Sequence, residues 1–512
     1  MNNKYLYLVG IAALAVTAVV MVIAIPRKQV LPALTSEVVT LKDGDSYNLV
    51  AEYVSKEIGG KTQMMLAYNG SIPGPTIRVA QGAEVTINFK NNTDTQTLLH
   101  SHGVRMDNAF DGSQLQQKEM QPGESFSYKL KFPDAGVYWY HPHAKEVYGQ
   151  GLGLYGAFIV IPTDSNYFPP VNREVPMFLS DLPVQSGKIA LNKDTISHSL
   201  MGHYGNVMLT NGEENYTLKA KPGEVVRLYV VNAANTRPFN FTIKGLKLKL
   251  VGADSGAYEK ASFVDSVVLG PSERAIVDVF LPALGTYEIQ NKTPDSTYAL
   301  GSILVTGGRV DTSYKQEFDV LQSNQATIQS IDPFRLSFNW PHQRRIALLV
   351  DMMGGMMNGT GGHRMPGGQM MGGMGEIPAG GIEWEDADMR MMNQMSNVDM
   401  IDWNIVDQDT SKKNMDIDWT FKKGEPVKIR IFNDPKSAHP MQHPIHFHGQ
   451  RFLIVARDGV PQTNLVWKDT VLLKAGETVD IVLDTSNPGV WMAHCHISEH
   501  LEAGMMMKFE VQ

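Results

Sequence analysis

Ten of the fifteen histidines fall into four short runs, and the only cysteine lies inside one of them. The runs are His100-Ser-His102, His141-Pro-His143, His443-Pro-Ile-His446-Phe-His448, and His494-Cys495-His496 with His500. On an extended strand residues i and i+2 point to one side, so a His-x-His delivers both imidazoles to one place. In His494-Cys495-His496 the same alternation sends two imidazoles one way and the thiolate the other. The thiolate can then bind one metal ion while its neighbours bind others, with only covalent bonds between them, a short path for electrons. A thiolate, two imidazoles and a distant thioether form the trigonal set that suits copper in electron transfer, and Cys495, His443, His500 and Met505 supply it. Zinc competes poorly, because structural zinc prefers Cys-rich sets and catalytic zinc takes about three protein ligands.

The elements that must carry these runs recur three times. Gln81-Gly-Ala-Glu-Val-Thr-Ile-Asn-Phe-Lys-Asn91 is answered by Lys221-Pro-Gly-Glu-Val-Val-Arg-Leu-Tyr-Val-Val-Asn232 and by Lys423-Gly-Glu-Pro-Val-Lys-Ile-Arg-Ile-Phe-Asn433. Each is a glycine turn followed by the alternation of a half-buried strand. A second element follows each copy. Pro122-Gly-Glu leads to Gly136-Val-Tyr-Trp-Tyr, Pro271-Ser-Glu to Gly285-Thr-Tyr-Glu-Ile, and Ala475-Gly-Glu to Gly489-Val-Trp-Met-Ala. Short strands between Gly/Pro turns predict an all-β chain of three Greek-key β-sandwich domains, over 37–165, 170–310 and 330–512. The histidine runs sit at matching places in repeats one and three. Repeat two reads Phe239-Asn-Phe and Glu288-Ile-Gln there, so domains one and three should share a site with domain two as spacer and brace.

Composition adds bounds. The 512 residues exceed one hydrophobic core, and a net charge of −8 gives no reason to expect a nucleic-acid partner. A single cysteine forms no disulfide within the chain. Residues 1–36 read as a membrane anchor or signal segment: Tyr5 to Pro26 carries no charge and is long enough to cross a bilayer of roughly 30 Å. The expectation is an extracytoplasmic enzyme, periplasmic or at the cell surface, tethered at its N-terminus and monomeric.

With His-x-His twice, His-x-x-His-x-His, and His-Cys-His-x-x-x-His-x-x-x-x-Met, the chain resembles the multicopper oxidases, the family of laccases and bacterial cuprous oxidases. The likeness runs from about Gln81 to Met507, and Tyr68-Asn-Gly-Ser-Ile-Pro-Gly-Pro agrees with it. It implies cupredoxin-like domains and four copper ions. His443, Cys495, His500 and Met505 would hold a blue copper, and His100 and His446 a single copper. His102, His141, His143, His448, His494 and His496 would hold a coupled pair. The three-ion cluster would reduce O2 to water. Asp111 stands where relatives carry an acid beside the cluster, which would make it catalytic with Cys495; as Asp111-Gly112 it also reads as a turn. Cuprous-oxidase relatives often carry Glu directly after the last histidine, where this chain has Leu501. Glu499 and Glu502 are near in sequence, with no stated direction.

Residues 352–400 form an insertion holding 13 of the 28 methionines. Met389, Met392 and Met395 have helical spacing within Glu383–Met395, and such a helix could simply pack them. Met352, Met353, Met356 and Met357 stand in glycine-rich sequence, where packing does not explain them. Thioethers favour Cu(I), so these residues and Met441 are candidate ligands for a Cu(I) substrate, as the resemblance to cuprous oxidases implies. A laccase-type oxidation of phenols or aromatic amines, with the insertion as a lid, and a non-catalytic copper-binding protein are the alternatives. His198, His203, His342, His363 and His439 read as surface groups.

Overall fold

The computed structural model describes residues 30–352, 377–386 and 390–512. Tyr5–Pro26, Met353, Met356, Met357, His363 and Met389 lie outside the described residues. Among the described residues no helix is long and apolar enough to cross a membrane.

Each repeat folds into two packed sheets, giving an all-β, three-domain cupredoxin-like architecture. In the first, one sheet runs in the order Val38–Leu41, Thr76–Ala80, Gly156–Ile161, Gly136–Pro142, Leu99–His102. The second repeat matches it with Thr217–Ala220, Thr297–Val305, Gly285–Lys292, Phe239–Ile243, Val267–Leu269. In the third the order is Asp418–Phe421, Met506–Val511, Gly489–Cys495, His443–Phe447, Thr470–Leu473. The turns that open the repeated strands need a left-handed residue, and Gly82, Gly223 and Gly424 supply it at φ of 89°, 86° and 79°.

This topology puts the histidine runs on neighbouring strands. His100 stands opposite His141 in the first domain, and His446 opposite His494 in the third. In the second domain Phe239 and Phe241 fill the same strand and are buried in its core. The half-buried alternation expected of the repeated strand holds in Glu84–Asn91 but not in Val225–Asn232, which is buried throughout. There the outward Arg227 pairs with Asp278 at 2.8 Å and lies against the Phe168 ring, so its charge is covered rather than solvated.

The stretch between the second and third sandwiches, which lacks strong periodicity in sequence, forms short helices including Gln325–Ile331. Ile331, Phe334 and Phe338 pack there with Leu453 and Trp467. In the insertion the helix is shorter than expected, Arg390–Met395.

Domains one and three are joined by a ring of ion pairs. Asp134 receives Arg105 at 2.6 Å and Arg451 at 2.8 Å, and Arg451 also reaches Asp484 at 3.0 Å. Burial alone would raise the Asp134 carboxyl, but Arg451 and Arg105 together hold it below its ordinary value. A depressed carboxylate stabilises the fold above its unfolded pKa of about 3.9 and loses that contribution as pH falls through the lower, folded value. Arg451→Met should therefore cost about 1–3 kcal/mol at neutral pH. In urea unfolding followed by tryptophan fluorescence, the gap to the parent protein should hold steady above about pH 5 and close below about pH 4.

Candidate metal centre

Two groups of buried ligand atoms form where the histidine runs meet. In the first, Cys495 ends the strand Gly489–Cys495, His443 begins His443–Phe447, and His500 lies on the short helix Ser498–Glu502. The Cys495 Sγ is 3.6 Å from His443 Nδ1 and 3.7 Å from His500 Nδ1. Met505 is fully buried in the same core, its main-chain oxygen accepting from the Cys495 N–H. Trp403 stacks on the His500 ring at 4.1 Å and meets His443 edge-on at 4.8 Å, closing the group from water. Burial pushes the Cys495 thiol far above its usual range and lowers His443 to about 3. A thiol so desolvated is no free nucleophile. Its thiolate is stable there only beside a cation.

The second group gathers His100, His102, His141, His143, His446, His448, His494 and His496, all at most 1 % exposed, between domains one and three. His102 and His446 stack at 3.6 Å, and His100 and His448 at 4.1 Å. Desolvation lowers the pKa of these rings; it alone takes His448 to about 3, and with the His448 imidazole beside it His494 also falls to about 3. The rings are therefore neutral at physiological pH, the state in which imidazole ligates a metal.

Six of the eight rings are tied down through Nδ1, while neither nitrogen of His496 has a protein partner. His100 Nδ1 donates to the Asp111 main-chain oxygen at 2.7 Å, His141 Nδ1 to Pro142, His446 Nδ1 to Asp469 and His494 Nδ1 to Cys495, each at 2.8 Å. His143 Nδ1 lies 3.0 Å from Gln114 Oε1, and His448 Nδ1 3.0 Å from the Asp111 carboxylate. With Nδ1 protonated, each Nε2 carries a lone pair, and those of His100, His141, His143 and His446 have no protein partner. His448 Nε2 and His494 Nε2 face each other at 3.0 Å, two lone pairs that repel unless a cation stands with them. Orphaned, buried and convergent lone pairs fit a metal centre, and the thiolate set beside them fits copper.

Asp111 proves to be both turn and buried acid. Gly112 sits at φ 76°, where an added Cβ would meet the Leu99 oxygen at 1.9 Å, so glycine is required. The Asp111 main chain holds His100 and its carboxyl, raised by burial, faces His448.

The carboxyls that sequence left without direction separate. Glu499 turns to domain two, where it meets His203 Nδ1 at 2.6 Å and the Thr236 hydroxyl at 3.0 Å. Glu146, which sequence reading missed, is 1 % exposed, 3.7 Å from His143 Nδ1, and neither oxygen has a hydrogen-bond partner. Burial, then Glu502 and Glu499, raises its carboxyl well above the usual range. Only its position three residues after His143 hints at this, and no pattern marks it.

Several expectations need correction. His203 and His439 are not surface groups: both are buried, His203 on Glu499 and His439 3.3 Å from the Glu383 carboxylate. His198 and His342 are half-buried. Met441 is fully buried in the core of domain three, so its thioether is packed rather than presented to solvent. Met392 packs against that core while Met391 and Met395 are 73 % and 69 % exposed, so the insertion helix does not bury a methionine face. Met352 ends the strand Arg344–Met352.

Three family models, each described as multicopper oxidase, match residues 50–165, 181–306 and 385–512. The multicopper oxidase MmcO of Mycobacterium tuberculosis is 26% identical over 490 residues, covering 89% of this chain and 84% of its own. Among solved structures, a Campylobacter jejuni multicopper oxidase described as a metallo-oxidase superposes with a TM-score of 0.68 at 23% identity, over 95% of this chain and 98% of that one. A laccase-like multicopper oxidase from Ochrobactrum gives 0.70 at 21%, over 94% and 100%.

Since His100 is held by main chain and His448 by the carboxyl, Asp111→Ala should release only His448. Copper titration of the purified variant should show about a 10- to 100-fold weaker hold on copper at the eight-histidine group, with the thiolate-copper colour retained.

Proposed function

Because this chain belongs to the multicopper oxidase family, we propose that its two buried centres hold four copper ions and that its reducing substrate is Cu(I). His443, Cys495, His500 and Met505 would hold the ion that accepts electrons. His100 and His446 would hold a single ion, and His102, His141, His143, His448, His494 and His496 a pair. Bound copper would supply one-electron acceptance at the first centre and four-electron reduction of O2 to water at the second.

The chain's residues prepare both centres. Strand alternation at His494-Cys495-His496 is the observation that carries this reading: Cys495 belongs to the thiolate group while His494 joins His143 and His448 in the other. With copper in both groups, the covalent bonds of these adjacent residues would offer electrons a short path between them. Trp403 and the surrounding core exclude water from the thiolate. The Glu146 carboxyl, raised by burial, stands 3.7 Å from His143 Nδ1 as a candidate proton donor, a role Leu501 cannot fill.

For the substrate, the observation that supports Cu(I) is cover. His443 is 1 % exposed and His500 is 0 % exposed, so neither imidazole offers an open edge to a flat aromatic ring. The covering shell instead holds a pair suited to a small cation, Glu383–His439 next to the His443 segment, and the insertion helix, whose Met392 packs on the same core, carries the exposed thioethers of Met391 and Met395. Thioethers retain Cu(I), while carboxylate and imidazole accept the Cu(II) product. The uncharged run Tyr5–Pro26 supports an N-terminal tether outside the cytoplasm, where such an oxidase would meet metal ions.

The test is oxygen uptake by the copper-loaded protein given Cu(I) or a phenol in turn, with residues 354–376 replaced by a short Gly-Ser linker. Uptake driven by low Cu(I) should fall about tenfold or more, the equivalent of roughly 1.4 kcal/mol of docking. Phenol-driven uptake should hold or rise. Undiminished Cu(I) oxidation would remove residues 354–376 from the mechanism and count against the Cu(I) reading.

A further inference from the structure

Domain two contributes no member of either ligand group, yet one of its turns reaches into the eight-histidine centre. The turn is Pro271-Ser272-Glu273-Arg274, the counterpart of Pro122-Gly123-Glu124 and Ala475-Gly476-Glu477 in the other repeats. Those two turns place glycine at φ 89° and 79°, in the left-handed region. The middle turn places Ser272 there, at φ 75°, a conformation that a residue with a side chain adopts at a cost. Its hydroxyl is buried and lies 3.0 Å from His102 Nε2.

Two residues on, Arg274 is 0 % exposed. Its fork grips Asp469 of domain three, with Nη1 2.6 Å from Oδ1 and Nη2 2.5 Å from Oδ2. Asp469 Oδ1 is in turn 2.9 Å from His102 Nε2, and the Thr470 hydroxyl is 3.0 Å from the same nitrogen. The Asp469 main-chain oxygen takes the Nδ1–H of His446, the ring stacked on His102. His102 is thus anchored through Nε2, whereas His100, His141, His143, His446, His448 and His494 are anchored through Nδ1. A planar guanidinium on both oxygens leaves a carboxylate one orientation, which a point charge would not do.

We propose that the turn Pro271–Arg274 is a positioning device for the oxygen-reducing centre. Ser272 directly, and Arg274 through Asp469, determine which nitrogen His102 turns inward and hold its ring parallel to that of His446. Neither residue is catalytic. Both act through a ligand, and the inference rests on the ligand reading above.

The experiment compares Arg274→Gln, Ser272→Gly and Lys468→Met with the parent, all full-length and copper-loaded. Lys468 joins Asp254 at 3.1 Å and Glu273 at 3.2 Å across the same domain contact without touching a histidine, so its loss disturbs the docking while leaving the Arg274–Asp469 fork and the Ser272 hydroxyl in place. Four readouts apply: copper per chain, the paramagnetic resonance of the single copper, the blue thiolate absorption, and the unfolding midpoint of copper-free protein. Arg274→Gln should hold copper at the eight-histidine centre about 10- to 100-fold less tightly, with a shifted resonance and the blue absorption intact. Ser272→Gly should shift the resonance while the copper-free midpoint stays or rises, because glycine relaxes the turn. Lys468→Met should lower the midpoint and leave the resonance alone. Wild-type copper content and resonance in both turn variants, or the same spectral change in Lys468→Met, overturns the proposal. Should Arg274→Gln fail to fold, Arg274→Lys keeps the charge without the fork, and a resonance unchanged in it and in Ser272→Gly overturns the proposal equally. Failure of the ligand reading is distinguishable, since the parent protein itself would then lack the single-copper resonance.

Discussion

The structure is organised around eight neutral imidazoles desolvated at one junction, several of which turn inward a nitrogen with no protein partner. A buried polar atom without a partner is costly, and here several converge, including the two Nε2 atoms of His448 and His494 at 3.0 Å. Ordinary folding would remove such a cluster or hydrate it. It is held because each outer nitrogen that has an acceptor is locked to main chain or to a fixed side chain, so the rings cannot rotate away. A bound cation would offset the desolvation. The fold carries the constraint on the ion's behalf.

Two different halves of the chain must therefore be held in register. The ring of Arg105, Asp134, Arg451 and Asp484 ties domain one to domain three near the strands that bear the histidines. Buried pairs of this kind contribute little net stability against an apolar alternative, but they orient, since each guanidinium meets its carboxylates in one geometry. Orientation matters more than stability at a centre whose ligands come from strands hundreds of residues apart.

Domain two, the spacer and brace of the sequence reading, is more closely involved than that description. On one face its Ser272 and Arg274 reach His102. On another its segment around Leu200–Tyr204 covers the thiolate group: Trp403 donates to the Ser199 oxygen, Met201 N–H to Asn393, and the Tyr204 hydroxyl to Glu383. Leu200 and Met201 lie inside the core of domain three. The same contacts anchor the base of the methionine-rich insertion, so the cover over His443 and His500 and the docking of domain two are one set of interactions.

The sequence by itself determined the fold class, the three repeats and the histidine runs, because these are local facts. A period of two places His100 beside His102 wherever the strand goes, and His494-Cys495-His496 divides its ligands by the same geometry. It did not show Glu146 beside His143, nor Gln114 as its anchor, nor Asp469 between His102 and His446, because those partners are distant in the chain or carry no pattern. Single histidines misled for the same reason: His203 and His439 read as surface groups until Glu499 and Glu383 were found against them. Only the tertiary structure decided which nitrogen each ring presents, how deeply His443 and His500 are covered, and that a ligand-free domain steadies the centre. Covalent spacing is written along the chain, whereas hydrogen-bond direction and burial arise only once distant strands meet.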